Sequence, residues 1–295
     1  MRLDPEIEDL FPTVPLLAVI PREQWHVSSL GGLTNRSYRL QGGGCDLVLR
    51  WPGESASRYL DRAAESGNAD AVAKLGLAPA VLAADTRRGW YIAEFETGAR
   101  ALSGDDFRNL ATFAEVVALL GTLHCSDIRF PFQQGLFQAI DLYLDLAPTP
   151  LMIDLRRQLD PAQTALRRNP GPRVPCHIDP NPANFLRRCD GSLCLIDWEF
   201  AAMEEPLWDL AAIALEAALD EAAERAVIEP RIGARQWPRF ELYKTALLLV
   251  AASWCEMERA AGNAAADLVH LRDDRIRRLQ ARLVDPRYGI WLAEA

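Results

Sequence analysis

The stretch HIDPNPANFLRRCDGSLCLIDWE, from His177 to Glu199, restricts the fold more than any other part of the chain. The prolines at 180 and 182 each bias the residue before them away from helix, so Asp179 is predicted to lie in a loop. After that loop, NFLRR and LCLIDW read as two short strands joined by CDGS, a hairpin that returns Asp197 towards Asn184. His177, Asp179, Asn184, Asp197 and Glu199 are thus gathered among apolar residues. Three of the five are carboxylates. Their burial is costly unless hydrogen bonds or a cation compensate, so a protein cation or a metal is expected beside them. Asn184 and Asp197 are oxygen donors, which suit Mg²⁺ carrying phosphate and water better than zinc.

Ahead of this stretch the first hundred residues read as strands and one helix. WHVSSLGG starts at Trp25, NRSYRL covers 35–40 and CDLVLRW covers 45–51. The last two are joined by QGGG, a hairpin signal. A helical pattern over 55–76 ends at Gly76. PAVLAAD and WYIAEF then form a second hairpin around TRRG. From residue 99 the spacing turns helical, with helices predicted over 103–124, 136–147, 151–168, 206–228, 236–262 and 264–284. The only strands expected in this part are those of the opening hairpin. The division is 1–98, mostly β, and 99–295, mostly α, an α+β architecture.

The net charge of −9 argues against a general nucleic-acid binder while leaving room for a local phosphate pocket. Six cysteines form no CxxC pair, and no second Cys or His pair completes a zinc set, so reduced thiols and a cytoplasmic protein are expected. The N-terminus carries acids and prolines rather than a basic start and an unbroken apolar core, so no signal peptide is expected. The longest apolar run, TALLLVAASW at 245–254, is too short to span a bilayer, so no membrane partner is expected.

Asp179 precedes Asn184 by the interval found in the protein-kinase loop H-R-D-L-x-x-x-N. In that chemistry one Asp accepts the proton of the attacking hydroxyl, and Asn with a second Asp holds the Mg²⁺ that bridges the ATP phosphates. HIDPNPANFL, LIDWE and PLWDLA together resemble the aminoglycoside phosphotransferase superfamily, in particular its choline/ethanolamine kinases. GGLTNRSYRL, LVLRWPG and KLGLAPAVL agree with bacterial choline kinases, and GGLTNRSY and LIDWEFA are similar to thiamine kinase. The likeness covers about residues 27–265.

The resemblance implies a two-lobed protein-kinase-like fold, with a small antiparallel β lobe carrying one helix and a larger helical lobe. It implies ATP and Mg²⁺ as cofactors. By the same resemblance Asp179 is the catalytic base, His177 orients its loop, Asn184 and Asp197 hold the metal, and Asp209 supports the loop. Gly31 and Gly32 let the backbone approach the phosphates, with Thr34 and Asn35 beside them in the nucleotide set. Arg50 contacts the phosphates and pairs with Glu65. Superfamily members often have Lys at that position, and Arg supplies a fork of donors instead. The backbone around Glu94, Phe95 and Glu96 meets adenine. Glu216 and Trp254 face a cationic head group, and Trp198 and Glu199 close the substrate site. One tryptophan with acids suits a cationic alcohol, choline or ethanolamine first, through cation–π attraction. Thiamine or aminoglycoside acceptors are the alternatives within this family. A nucleotide-binding scaffold without activity is the alternative outside enzymes, although it has no need to keep Asp179, Asn184 and Asp197 together.

Overall fold

The computed structural model describes residues 3–31, 35–53, 62–133 and 135–295, with the backbone alone at 62, 63 and 266. In chain order the elements are α1 (Pro5–Glu8), α2 (Leu10–Thr13), β1 (His26–Gly31), β2 (Asn35–Gly42), β3 (Cys45–Pro52), α3 (Arg62–Ala73), β4 (Val81–Asp85), β5 (Trp90–Glu94) and β6 (Arg100–Ala101). There follow α4 (Gly104–Arg108), α5 (Leu110–His124), α6 (Leu136–Leu146), α7 (Pro150–Gln158), α8 (Asp160–Arg168), β7 (Val174–Cys176), β8 (Phe185–Arg187), β9 (Leu193–Leu195) and β10 (Ala202–Glu204). The last helices are α9 (Leu207–Ala217), α10 (Glu221–Ile232), α11 (Trp237–Ala260), α12 (Ala266–Leu283) and α13 (Tyr288–Glu294). They divide into two compact units: Met1–Leu102 with Ala183–Ala201, and Ser103–Pro182 with Ala202–Ala295. The division expected at residue 98 assigned the β8–β9 hairpin to the second part, whereas it clusters with the first unit.

The first unit is built on a five-stranded antiparallel sheet of order β1-β2-β3-β5-β4. Gly43 and Gly44 both have positive φ between paired Gly42 and Cys45, the two-residue turn whose twist matches a hairpin. Period-two alternation then buries Leu47, Leu49 and Trp51 of β3 against Ile7, Leu10, Leu17, Trp25 and Leu40. Asp4 caps α1 through the Glu6 N–H and Pro5 stands in its first turn, so a segment with no strand alternation forms short helices that cover this core. A three-stranded sheet, β6-β8-β9, completes the unit. Its β8–β9 turn is closed by Gly191 at φ 87° and by Asp190, which accepts from Ser192 N.

The second unit is helical around α11, which packs on α6, α9 and α12. Two of its buried cations are paired with acids: Arg239 donates to Glu205 at 2.8 Å and Lys244 to Glu224 at 2.6 Å. Three helices expected as continuous are divided. Asn109 caps α5 by accepting from Ala111 and Thr112, which ends α4 at Arg108. Pro161 cannot donate to the preceding turn, so 151–168 splits at Leu159 into α7 and α8. Ala218 turns left-handed, with φ 48°, between α9 and α10. Three strands were also not expected: β6, and the pair β7 and β10, which run antiparallel with Cys176 opposite Ala202 and Val174 opposite Glu204. Among the described residues no helix is long and apolar enough to cross a membrane.

Candidate active site

In the first unit, the β-strand pairing sets Arg50 between Ser37 of β2 and Tyr91 of β5. Its guanidinium reaches three carboxylates. Nε donates to Glu65 of α3 at 2.7 Å, and Nη2 donates to Asp197 and, at 3.3 Å, to Glu199. Burial works against the Arg50 charge, but Asp197, Glu65, the neighbouring Tyr91 and Glu199 outweigh it and hold its pKa well above the usual arginine value. Here the sequence expectation of a compensating cation is met by a protein side chain. Asp197 has φ 70°, two residues after β9, and Asn184 O accepts from Ile196 N at 2.9 Å across the hairpin. The two residues thus sit at the open end of the same hairpin. Carboxylate oxygens of Glu65, Asp197 and Glu199 lie within 4.8 Å of one another, an all-oxygen set that fits a hard divalent cation.

Asn35 is buried. Its Nδ2 donates to Glu199 at 2.5 Å, and its Oδ1 accepts from Gly53 N at 3.3 Å. Within the described residues it therefore fixes Glu199 in the Arg50 cluster. Gly31 ends β1 at φ 83°, where a Cβ would meet nothing within 4 Å, so conformation rather than space requires glycine. Gly32 and Thr34 lie outside the described residues. Around the expected adenine contact, Glu94 N donates to Ala80 O and Phe95 N to Asp46 O, while the Glu96 amide has no partner within the described residues. The Glu96 carboxylate accepts twice from Arg188, at 2.7 and 3.0 Å. Trp198 is buried with its indole N–H donating to Leu195 O at 3.3 Å. That placement makes it a packing residue of the first unit rather than a wall for an acceptor. Glu199, expected with the substrate, stands with Arg50 and Asp197.

In the second unit, Asp209 in the first turn of α9 is fully buried and holds the loop that leads to Asp179. Oδ2 accepts from His177 N and Oδ1 from Ile178 N, both at 2.8 Å. Trp208 Nε1 donates to Ile178 O at 2.8 Å. These bonds hold Ile178, a β-branched residue, at φ 73°, a backbone conformation such residues rarely adopt. Asp179 follows at once, half-buried, with Oδ1 accepting from Asn181 Nδ2 at 2.5 Å. His177 is itself buried. His124, late in α5, donates from Nε2 to Asp209 Oδ2 at 2.9 Å. The carboxylate of Asp209 thus accepts three hydrogen bonds. His124, Asp209 and Cys176 are also close enough to share a metal. Burial, however, drives the Cys176 thiol well above its usual pKa and so keeps the ligand protonated.

Behind the loop, β10 carries Glu204, which is buried and accepts from Glu205 N at 2.8 Å. Burial pushes its pKa up to about 7, against the lowering effect of that N–H and of Arg173. Of the two residues expected at a cationic head group, Glu216 of α9 is engaged by Arg275 of α12. Trp254 of α11 is half-buried, and its indole N–H is buried with no partner within the described residues.

A five-stranded antiparallel sheet with a helical second unit, a strand cation paired to a helix glutamate, and an Asp-held loop before an Asn/Asp hairpin define a protein-kinase-like phosphotransferase. The chain belongs to the phosphotransferase enzyme family, which it matches over residues 28–244. Protein LicA of Haemophilus influenzae is 27% identical over 208 residues, a match spanning 68% of this chain and 61% of that protein. A thiamine kinase of Escherichia coli is 28% identical over 200 residues, spanning 65% of this chain and 68% of its own length. The crystal structure of a choline/ethanolamine kinase family protein from Mesorhizobium loti is similar across 98% of both chains, with 29% identity and a TM-score of 0.81.

Proposed function

We propose that the protein is a small-molecule kinase that moves the γ-phosphoryl group of ATP to the hydroxyl of a small cationic alcohol, choline or ethanolamine first. The observation that carries this reading is the Asp209 carboxylate, which fixes the backbone immediately ahead of Asp179 in a chain of the phosphotransferase family. A base held by its backbone keeps its position, and such a base contributes about a hundred- to ten-thousand-fold in rate.

Asn184 and Asp197 would hold Mg²⁺, with Glu65 and Glu199 completing an oxygen-rich surround. When bound, the metal neutralises charge on the phosphates. Arg50 binds phosphate oxygens with its planar fork and loses part of its hold on the carboxylates as it does so. The Glu96 N–H serves as donor to adenine. Asp179 accepts the hydroxyl proton as the alcohol oxygen attacks phosphorus, and ADP leaves. The choice of a cation rests on two relatives of unlike name. Choline or ethanolamine, and thiamine, each combine one primary hydroxyl with one positive charge. Glu216 and Trp254 supply an acid and an aromatic face for that charge.

The test measures ADP release with Mg²⁺ against choline, ethanolamine, thiamine, neutral sugars and an aminoglycoside. Turnover with a cationic alcohol, abolished by chelation, is expected. Turnover confined to neutral sugars or to the aminoglycoside would refute the acceptor class.

A further inference from the structure

Arg272, Arg275, Arg278 and Arg282 recur along α12 at three- and four-residue intervals and therefore share one face. That face meets α9 and α11. Arg272 donates to Glu256 at 2.7 Å, Arg278 to the Leu215 carbonyl at 2.9 Å and Arg282 to Glu241 at 2.6 Å. Arg275 donates to Glu216, and the pair is largely withdrawn from water, with side chains 9% and 28% exposed. Glu216 stands seven residues beyond Asp209 on α9. Two helical turns place it on the same side of that helix, about 10 Å further along the axis. Asp209 holds the loop before Asp179, so Glu216 lies on the helix that supports the proposed base. Burial pushes the Cys255 thiol up to about 11, and Arg275 and Arg272 pull against it. The turn of α11 that carries Trp254 therefore lies close to the same guanidinium.

A carboxylate poised for a ligand's ammonium is expected to be free or water-filled, but this one already has a cation of its own. Resting on the acceptor reading above, we propose that Arg275 is an internal competitor in acceptor binding. It takes the place of the acceptor's ammonium on Glu216, and a hydroxylated cation binds by exchanging with it. The released guanidinium has a neighbouring acid in Asp274, 3.9 Å from Arg275 Nη1, an acid that it would share with Arg277 and Arg278. Exchange lowers the affinity of the site for cations. Each cation that enters must replace a charge-assisted hydrogen bond, while an uncharged alcohol of the same shape has nothing to exchange for.

The experiment uses titration calorimetry on the full chain with two probes. One is choline; the other is dimethylbutanol, its uncharged isostere with a tert-butyl group in place of trimethylammonium. Arg275→Gln should tighten choline binding by about five- to ten-fold. It should leave dimethylbutanol and the ATP KM where they are, and Arg275→Lys should resemble the parent. Choline binding that is unchanged or weaker in a cooperatively unfolding Arg275→Gln protein overturns the exchange. If Arg275→Gln does not fold, Asp274→Asn decides: the exchange requires weaker choline binding with dimethylbutanol unaffected, and equal affinity for both overturns it. Turnover separates the two readings. A protein whose choline affinity rises in Arg275→Gln but which phosphorylates no cationic alcohol retains the exchange and loses the acceptor reading. A protein that phosphorylates choline with Arg275→Gln unchanged loses the exchange alone.

Discussion

Replacing Glu204 with Gln should make the protein's stability less dependent on pH, and the size of the effect follows from where the carboxyl is buried. Glu204 is 4% exposed on β10, with one oxygen accepting from Glu205 N and the other 3.8 Å from Arg173. Its folded pKa of about 7 stands above an ordinary value of 4.5. Below the ordinary value both folded and unfolded chains hold the proton, so the residue adds no pH dependence. As pH rises through that value the unfolded chain releases its proton while the folded chain keeps it, and stability falls. The fall ends above the folded pKa, when both states are ionised. At about 1.36 kcal/mol per pKa unit the loss across this window is roughly 3 kcal/mol. Gln keeps an acceptor for Glu205 N and has no proton to lose. Urea unfolding of both proteins from pH 4 to pH 8 isolates the effect, because all other titrations cancel in the difference. The Gln variant should gain on the parent by roughly 3 kcal/mol between pH 4.5 and pH 7.5, with no further gain above. Parallel curves would refute the reasoning, since they would mean that Glu204 ionises in the folded protein as readily as in the unfolded chain.

Asp179→Ala should lower turnover by about a hundred- to ten-thousand-fold with ATP affinity retained; unchanged turnover in single-turnover mixing would remove the base assignment. Asp197→Asn should weaken Mg²⁺-dependent nucleotide binding and rate together, and equal ATP·Mg²⁺ affinity by calorimetry would contradict the metal role. Arg50→Gln leaves Glu65, Asp197 and Glu199 without their shared cation, so unfolding should cost about 3–5 kcal/mol less. Millimolar Mg²⁺ should restore part of that loss in a thermal melt, and insensitivity to Mg²⁺ would argue against an oxygen-ligand site there.

The parts of the molecule legible from sequence are those whose partners are near in the chain. CDGS between two apolar runs specifies the β8–β9 hairpin, and the hairpin alone brings Asn184 to Asp197. Gly43 and Gly44 announce the β2–β3 turn in the same way. The β7–β10 pair was not legible because Val174-Pro175-Cys176 is three residues long with a proline inside it, too short for alternation to register. Pro161 marked the break between α7 and α8, but helical spacing on both sides concealed it. The turn at Ala218 falls among good helix formers, and Asp220, the cap of α10, was its only local sign. His124 meets Asp209 across 85 residues and Arg275 meets Glu216 across 59, distances at which no local pattern selects a partner. Arg50 was read as a phosphate contact with one acidic neighbour, and its hold on Asp197 and Glu199 emerged only when the hairpin and β3 were seen together.

The assignment of Ala183–Ala201 to the first unit has a consequence for synthesis of the chain. As it leaves the ribosome, the polypeptide delivers Met1–Leu102 with β6 still lacking β8, and with the Arg50 guanidinium still without Asp197 and Glu199. The strands that finish this unit emerge only after α4 to α8 and β7 have passed. The first unit therefore waits, unfinished, through the translation of an intervening segment, with the edge of β6 unpaired and a half-compensated charge cluster. Loop-closure entropy across that segment must be met before the late hairpin can dock. A nascent chain stalled at residue 102 should bind holding chaperones that one stalled beyond residue 201 has shed, because only the longer chain has both halves of its β6-β8-β9 sheet.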